Sequence, residues 1–520
     1  MVLALALAGT ALAPVAADAV PAYVESPADY VDPFVGTTNA GNTFPGALVP
    51  FGMTSFSPDQ GYYGGPTTGT YANQGYLRSS NPGGYTYTRT SVRGFSLTHI
   101  SGPGCAGGSG DVPIFPLPGA ITQAPTVAEG TAPVQATYSH DNEEASAGYY
   151  RVGLNSGVNV ELTATERTGQ ARFQFPVGSD GTVLVRAAES MVGSTDADVQ
   201  IDPASRTVTG SVTSGAFCGG FVGDGELRRS YYTVHYVIEF DRPFKSVGTW
   251  TDTALAPNSY SAHGGNTVSY AEGVSSTSGA TQSGYGTAGK GAGGYLVFDT
   301  SANQTVGVRI GISYVSTANA KLNLDAETPS GRTFEQTRQA AVDKWNAALR
   351  AIQVAGGTED ERTAFYSAMY HALIHPSLGD DVNGEYMGFD GDRRVFRVGE
   401  GQEHQYHTFS GWDVYRGLTQ LQAWLDPQIG SDIAYSLLNQ AQQNRFNAQG
   451  ERPQPGDADQ GKDEWDRWTH VQGGTHVMVG DPSAQTLAGI LAYGGDRFPA
   501  ETAYQSLADG ARNPTARDYS

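Results

Sequence analysis

The stretch VGVRIGISYVSTANAKLNLDAETPSGRTFEQTRQAAVDKWNAALRAIQV, from Val306 to Val354, contains the point at which the chain changes from a strand pattern to a helix pattern. It begins with Val306–Val315, a run rich in β-branched residues that predicts a long strand. It ends with Thr333–Val354, in which Trp345 and Leu349 recur at the spacing of one helix face. The stretch therefore predicts a β domain followed by an α domain.

The residues before this boundary carry the pattern of many short strands separated by turns. Breaks that contain Gly and Asn separate runs that alternate or are continuously apolar. Many strands with few helices predict two packed sheets, and we assign residues 22–327 to a β-sandwich domain. The clearest predicted strands are Tyr149–Leu154, Val158–Thr163, Ala171–Phe175 and Tyr231–Phe240.

The residues after the boundary favour helices. We assign residues 328–354 to a helical linker and residues 355–520 to an α domain, which opens with Thr358–Leu373 and its candidate N-cap Thr358. The number of helices predicted after the linker does not suit a closed helical bundle. They are either the first part of a larger α-helical toroid or a complete small helical domain. The remaining predicted helices lie at about 411–426, 428–445, 482–494 and 499–511.

Composition and charge exclude one class of partner. The 520-residue chain has a formal net charge of −21, and only 16% of its residues are charged, beside 68 Gly and 28 Tyr. The phosphates of a nucleic acid would be repelled by this charge, so no nucleic-acid partner is expected. The glycine- and tyrosine-rich composition is typical of secreted β-proteins, and aromatic side chains suit sugar binding.

The N-terminus resembles an export signal. Leu3–Ala19, LALALAGTALAPVAADA, is an apolar run followed by small residues, so we interpret residues 1–21 as a signal peptide-like segment. The run is too short and too rich in Ala and Gly for a stable membrane span. A secreted or extracytoplasmic protein is therefore predicted. The two cysteines, Cys105 and Cys218, are few for a disulfide scaffold, and their pairing is left open.

The stretch FSGWDVYRGLTQLQAWL, Phe409–Leu425, predicts an amphipathic helix with an unusual polar face. Ser410 and Asp413 have the spacing of a capping box. Trp412, Asp413 and Arg416 fall opposite the leucine-rich stripe. An indole, a carboxylate and a guanidinium on one exposed face indicate ligand contact, and helix capping is the structural alternative.

Two glycine-rich loops are further candidates for a site. Gly36–Met53 and Thr98–Pro116 have the Gly, Pro and Asn content of irregular loops whose backbone can approach a ligand closely. A long structural loop is the alternative in both cases. Cys105, in the second loop, is a candidate packing thiol or half of a disulfide.

Other candidate motifs carry weaker signals. The acidic run Gly456–Trp468 lacks the Gly and Glu that an EF-hand loop requires, so a solvated loop is favoured. His476 and Asp481 precede a predicted helix, and Asp481 stands directly before Pro482 in the N-cap arrangement. The chain has no G-x-S-x-G or H-E-x-x-H motif, which disfavours a nucleophilic hydrolase or a zinc enzyme.

Seven stretches, taken together in order and spacing, resemble glycoside hydrolase family 92, the calcium-dependent exo-α-mannosidases. The first reads VDPFVGTTNAGNTFPGALVPFGM and the last FSGWDVYRGLTQL. The resemblance implies an N-terminal β-sandwich, a helical linker and a C-terminal (α/α)6 barrel that residues 355–520 leave incomplete, with the active site at the interface. The stretches begin at Val31, Thr98, Gly148, Val237, Val306, Ala364 and Phe409.

The same resemblance implies an inverting hydrolase that removes terminal α-mannosides from mannose-containing glycans with the help of Ca²⁺. The family's Glu acid and Asp base lie in motifs of the form E-G-N and G-N-D-D-x-G, and neither motif occurs in this sequence. We therefore assign no catalytic and no metal-ligating residue here. The acid, the base and most calcium ligands are expected beyond residue 520.

Sugar contacts are carried over from the resemblance residue by residue. Trp412 and Asp413 match the family's W-D pair, which implies that the indole packs on a mannose ring and the carboxylate accepts hydrogen bonds from two hydroxyls. Arg416, one turn later, is expected to hold Asp413 ionised or to reach the sugar. Looser matches add four residues to the expected substrate-binding set: Asn42, Phe44, Cys105 and Asp481.

Two other functions remain open at this point. Another carbohydrate enzyme with a sandwich and an (α/α)6 barrel, such as an inverting phosphorylase, would need a basic phosphate-binding cluster, for which the sequence has no signal. A non-catalytic glycan-binding protein would use the Trp412–Asp413 pair without any acid and base.

Overall fold

The computed structural model describes residues 22–38, 41–62, 78–79, 83–101, 109–125, 135–191, 194–215, 232–265, 291–389, 394–445, 461–475 and 480–512. Several predicted features lie outside the described residues. They are the signal peptide-like segment 1–21, Cys105, Cys218, His476 and residues 456–460 of the acidic run.

Short strands make up the described part of the chain before residue 314. Their bounds are β1 Ala47–Leu48, β2 Ser55–Asp59, β3 Gly61–Tyr62, β4 Arg78–Ser79, β5 Ser91–Val92, β6 Gly94–Ser96, β7 Ile114–Pro118, β8 Ala136–Ser146, β9 Tyr149–Leu154, β10 Asn159–Ala164, β11 Thr168–Gln174, β12 Gly181–Val185, β13 Asp196–Asp202, β14 Thr207–Ser214, β15 Tyr232–Phe240, β16 Ser246–Thr251, β17 Ala254–Pro257, β18 Ser261–His263, β19 Ala292–Phe298 and β20 Thr305–Ser313.

All of these strands except β3 and β4, which pair with each other, form two antiparallel sheets that enclose one hydrophobic core. The eight-stranded sheet has the order β1-β2-β6-β7-β12-β19-β16-β17, and the ten-stranded sheet has the order β18-β13-β14-β15-β20-β11-β10-β9-β8-β5. In β14 every second residue is buried, as expected for a strand with one face on the core. The predicted strands correspond to β9, β10, β11, β15 and β20, so the β-rich N-terminal part is confirmed.

Helices dominate the rest of the described chain, together with three two-stranded sheets. The helices are α1 Thr317–Glu327, α2 Phe334–Leu349, α3 Glu359–Ala372, α4 Gly411–Val414, α5 Leu418–Leu425, α6 Pro427–Gln443, α7 Pro482–Ala492 and α8 Ala500–Arg512. The small sheets pair β21 Ser377–Leu378 with β24 Tyr406–His407, β22 Glu385–Met387 with β23 Val395–Arg397, and β25 Trp468–His470 with β26 Gly473–Thr475.

Helix α1 lies inside the range that the sequence assigns to the sandwich. Ser316 caps it by accepting a hydrogen bond from the backbone of Asn319, and the helix packs on β15 and β20. Its buried face includes two asparagines, Asn319 and Asn323, whose amides donate to the buried carboxylate of Asp381 at 2.8 and 2.6 Å. The two amides interrupt the apolar part of this face, which Ala320 and Leu324 form, and this is why the pattern did not predict the helix.

Local capping accounts for the helices that the sequence predicts well. Thr333 with Gln336, and Thr358 with Glu361, form reciprocal capping boxes at the starts of α2 and α3. The predicted N-cap role of Thr358 is therefore confirmed. In α2, the fully buried Trp345 donates from Nε1 to the carbonyl of Leu48 at 2.7 Å, which fastens the linker helix to the sandwich.

The continuous helix predicted over 411–426 is wrong. The chain makes one turn, α4, and is interrupted before α5 begins at Leu418. The predicted capping box is also wrong, because the Ser410 hydroxyl accepts no cap hydrogen bond. The break leaves Trp412 and Asp413 on a single turn that is not constrained to the phase of the longer helix.

A buried arginine joins the two parts of the chain. Nη1 of Arg167, in the turn after β10, lies 2.9 Å from Glu327, and Nη2 lies 3.1 Å from Asp380. Its Nε also donates to the carbonyl of Asp380 at 2.6 Å. Glu327 ends α1 and Asp380 follows α3, so one guanidinium bonds the ten-stranded sheet to both.

Backbone hydrogen bonds place the loop before β2 against the end of α3. The N–H of Phe51 donates to the carbonyl of Leu373, and the N–H of Leu378 donates to the carbonyl of Phe51, both at 2.8 Å.

Among the described residues, no helix has the length and apolar content needed to cross a membrane.

Replacing Arg167 tests the junction. Arg167→Met should lower the free energy of unfolding by about 3–5 kcal/mol, because the buried carboxylates of Glu327 and Asp380 lose their cation. Urea unfolding followed by tryptophan fluorescence measures the change. Arg151→Met is the matched control, since Arg151 pairs with Glu144 in solvent and should change stability by less than about 1 kcal/mol. Equal losses in both variants would contradict the assignment.

Candidate active site

A pocket of about 350 Å³ lies where loops of the sandwich meet helices α3, α4 and α5. Its position matches the expected site at the interface of the two parts. The sandwich contributes Val35, Gly36, Gly41, Thr43 and Ser101, and the helical part contributes His371, His375, Ser410, Asp413, Val414 and Leu418.

Hydrogen bonds join the two walls. Ser101 donates from its hydroxyl to Thr43 Oγ1 at 3.2 Å, and Thr43 Oγ1 lies 3.5 Å from His371 Nδ1. Gly36 is required here, because it adopts φ +81° and a Cβ would lie 3.0 Å from the Thr43 methyl. Asn42 follows in the left-handed conformation that asparagine tolerates, with φ +53°. The loop shape thus depends on residue types that the sequence singled out.

Of the three residues on the predicted polar face, Asp413 lies at the pocket, whereas Trp412 and Arg416 contact each other. Asp413 lines the pocket, so the structure brings it together with the predicted sandwich loops. Burial at the pocket wall raises the pKa of Asp413, and the positive charge of Arg416 opposes this rise. The Arg416 guanidinium lies 4.8 Å from the centre of the Trp412 ring, in cation–π contact. Neither Trp412 nor Arg416 is among the described lining residues.

Phe44 is buried next to His99. It is 2% exposed, and its ring centre lies 5.2 Å from that of His99. His99 is itself held by the carbonyl of Ser55 at 2.9 Å and by Asp59 at 3.1 Å. Phe44 is not among the described lining residues of the pocket, and its sugar contact stays a prediction.

Asp481 occupies the position that capping requires. Its carboxylate accepts a hydrogen bond from the backbone of Ser483 at 3.2 Å and begins α7. It is exposed, and it is not among the described lining residues of the pocket. The capping alternative is confirmed, and a substrate contact by Asp481 stays a prediction. Cys105, another residue of the expected substrate-binding set, lies outside the described residues.

Sequence reasoning missed three polar residues of the pocket wall. His371 lies in the last turn of α3, and His375 lies in the segment that follows the end of this helix, so no helix periodicity connects the two. The third is Ser410, whose N–H points at His375 Nε2 from 3.4 Å. The buried atoms His371 Nε2 and Ser410 Oγ have no hydrogen-bond partner. A water molecule or a ligand in the pocket could supply the missing hydrogen-bond partners of these two atoms.

Three buried histidines lie around this junction and are neutral at physiological pH. Burial lowers the pKa of His375 to about 4 and that of His407 and of His470 to about 3. His470 Nε2 lies 3.1 Å from the hydroxyl of Ser109, which links the helical part back to the sandwich. Neutral imidazoles can both donate and accept, as a sugar hydroxyl does.

The described residues do not fit a calcium site. Asp196, Asp198 and His263 are the one described group of three that could share a metal ion, and they lie at an exposed edge of the ten-stranded sheet. The imidazole already contacts both carboxylates, at 2.9 and 3.3 Å. Calcium takes roughly six to eight oxygen ligands. Asp413 is the one carboxylate among the described lining residues of the pocket.

Family comparisons agree with this architecture. The model described as "Glycosyl hydrolase family 92 N-terminal domain" matches residues 30–313, and the one described as "Glycosyl hydrolase family 92 catalytic domain" matches residues 319–519. The boundary between them coincides with the change from strands to helices. The chain belongs to glycosyl hydrolase family 92.

Individual relatives are similar over most of this chain but are longer than it. An Arthroderma benhamiae protein called an uncharacterized secreted glycosidase is 29% identical over 374 residues, 68% of this chain and 42% of the relative. A family GH92 α-mannosidase from Bacteroides thetaiotaomicron is 26% identical, with a TM-score of 0.73 over 95% of this chain and 58% of that protein. A GH92 inverting mannosidase of the same species, 23% identical, shares the fold with a TM-score of 0.72 over 95% of this chain and 57% of its own.

The buried histidines predict loss of stability in acid. In the unfolded chain, His375, His407 and His470 bind protons below their ordinary pKa of 6.5. In the folded protein they stay neutral until the pH falls to about 3 to 4. Their contribution is complete above pH 6.5 and falls as the pH drops, by on the order of 1–2 kcal/mol per histidine at pH 5.

Urea midpoints between pH 7.5 and pH 5 test this. His407→Gln should flatten the acid limb, because one of these groups no longer titrates. His263→Gln is the control: neighbouring Asp198 raises the pKa of this exposed histidine, so its loss should not flatten the limb. Identical slopes in His407→Gln and the unaltered protein would refute the prediction.

Proposed function

We propose that this family 92 chain forms part of a secreted exo-acting α-mannosidase that hydrolyses terminal α-mannosides of glycans with inversion. The proposal rests on the pocket between sandwich and helices, where Asp413 and buried hydroxyl and imidazole groups converge. It is supported by the likeness to a GH92 α-mannosidase over 95% of the chain. The activity is proposed for the whole protein, since the chain spans 58% of that relative.

Asp413 is the proposed anchor of the terminal sugar. A carboxylate that accepts hydrogen bonds from two neighbouring hydroxyls discriminates strongly against a ligand that lacks them. Ser410 Oγ and His371 Nε2 then supply further partners, since both lack one in the structure. We propose that Trp412, braced by Arg416, borders the ring.

The reacting groups are not assigned to described residues. Inversion needs a carboxylic acid and a carboxylate about 6.5–9.5 Å apart, with a water between the second and the anomeric carbon. Asp413 alone does not meet this requirement. Calcium, which we propose as the cofactor by resemblance, would supply coordination of neighbouring mannose hydroxyls when bound. The described residues do not fit such an ion.

The alternatives have less support. A phosphorylase would need cations around the pocket, and the described lining residues include no lysine or arginine. A non-catalytic glycan-binding protein would keep the Asp413 contact and lack turnover. Secretion is proposed from the signal peptide-like segment and from the relative that is called secreted.

Removing the proposed anchor should impair catalysis. In an active protein that contains this chain, Asp413→Ala should lower kcat/KM for an aryl α-mannoside. The decrease should correspond to a loss of at least ~2 kcal/mol of transition-state stabilisation, because two sugar hydroxyls lose their acceptor. Asp481→Ala is the matched control: it removes a helix cap, costs about 1 kcal/mol of stability, and should leave kcat/KM within about twofold. Comparable losses of kcat/KM in both would assign Asp413 a merely structural role.

Metal removal tests the cofactor and the location of catalysis. EDTA should abolish mannose release by the longer protein, and added Ca²⁺, but not Mg²⁺, should restore it, since the two ions differ in size and ligand number. The 520-residue chain alone should release no mannose with Ca²⁺ present. Turnover by that chain, measured as free mannose, would disprove the absence of an acid and a base.

A further inference from the structure

A second cavity, distinct from the pocket, lies on the outer face of the ten-stranded sheet. This groove has a volume of about 470 Å³ and shares no described lining residue with the pocket. Strands β11, β15 and β20 form its floor, the turn between β13 and β14 forms one rim, and the segment Ser330–Glu335 that leads into α2 forms the other. Its size suits a small ligand.

Strand register explains why polar side chains gather on this floor. Gln170 pairs with Arg309 across β11 and β20, and Arg172 pairs with Gly307. Residues two apart in a strand share a face, so Gln170 and Arg172 point the same way. Gly307 leaves room for the side chain of Asp241, since a Cβ at that position would lie 2.9 Å from a carboxylate oxygen of Asp241.

The groove concentrates positive charge in an acidic protein. Four of the chain's 31 basic residues line it, all arginines, against three carboxylates, which leaves one positive charge in a chain of net charge −21. The arginines are Arg172, Arg206, Arg309 and Arg332, and the carboxylates are Glu239, Asp241 and Glu335.

Two of these arginines are not neutralised. Arg172 and Arg309 form ion pairs with carboxylates on the same face. Arg206 donates to the backbone carbonyl of Asp241 at 3.1 Å, and Arg332 donates to the hydroxyl of Thr337 at 3.2 Å. Within the described part of the chain, neither guanidinium has a carboxylate partner. Guanidinium groups bind phosphate and carboxylate through parallel hydrogen bonds.

The floor also holds two buried atoms without partners. Gln170 is 3% exposed, and its Oε1 accepts no hydrogen bond. The Nε of Arg172 donates none. Leaving such atoms unsatisfied is unfavourable, so a ligand that donates to one and accepts from the other would satisfy both. A hydroxyl group does both.

We infer that this groove is a second carbohydrate site, for a sugar that bears one phosphate or carboxylate group. Arg206 and Arg332 pair with the anionic group, and Gln170 Oε1 accepts a hydrogen bond from a ring hydroxyl. A neutral sugar that stacks on an aromatic ring is disfavoured. Arg172 covers the Phe334 ring at 4.2 Å, and Phe240, the other aromatic lining residue described, is buried.

Calorimetric titration of the 520-residue chain with mannose 6-phosphate, glucuronate, mannose and inorganic phosphate tests this. One of the two anionic sugars should bind with 1:1 stoichiometry, and its identity tells whether the site prefers phosphate or carboxylate. Inorganic phosphate should bind at least about tenfold more weakly, because it lacks the ring hydroxyls. Failure of both anionic sugars to bind, or equal binding of inorganic phosphate, would overturn the inference.

Variants locate the site. Arg206→Gln with Arg332→Gln should weaken binding of the anionic sugar at least about tenfold, and Gln170→Leu should weaken it severalfold. Arg151→Gln, which removes an exposed arginine elsewhere on this sheet, should have no effect. Asp413→Ala separates the two proposals, since it should abolish any mannose binding in the pocket and leave the groove intact. Unchanged affinity in both groove variants would refute the site.

Discussion

The arrangement of the two parts depends on one buried guanidinium. Arg167 bonds at the same time to Glu327 at the end of α1 and to Asp380 beyond α3, and all three side chains are largely out of water. Only an arginine has donors in a fork wide enough for two carboxylates and a carbonyl. A buried ion pair adds little net stability, but separating it exposes unpaired charges to an apolar interior. The contact therefore fixes orientation more than it adds stability.

The pocket follows from that orientation, because neither part forms it alone. Thr43 and Ser101 come from loops of the sandwich, whereas His371 and Asp413 come from the helical part. The wall contact between Thr43 and His371 is 3.5 Å long, so a small rotation of one part would separate the two walls. The ion pairs of Arg167 hold the two parts in place, so the pocket keeps its shape although its walls share only a long hydrogen bond. The polar atoms of the walls thus remain available to a ligand.

The sequence predicted the elements whose local signals agree with their packing. Alternating strands such as β9 and helices with capping boxes such as α3 were found because pattern and burial coincide. Helix α1 was missed because Asn319 and Asn323 occupy half of its buried face, and the interruption after α4 was missed because a glycine such as Gly417 is also tolerated inside a helix. For the site, family resemblance singled out Asp413. It could not tell that Phe44 is buried, since burial depends on long-range packing.

Unsatisfied buried atoms indicate function only in a particular setting. Ser57 and Ser96 also have buried hydroxyls without partners, yet no described cavity is lined by them, so they favour no ligand. Ser410 lies against the pocket and Gln170 against the groove, where a ligand can complete their hydrogen bonds. By contrast, the buried carboxylate of Asp381 accepts hydrogen bonds from Ser313 and two asparagine amides and is fully occupied by structure. An orphaned atom beside a cavity large enough for a ligand, and not burial of polarity alone, thus distinguishes the proposed binding groups from structural ones.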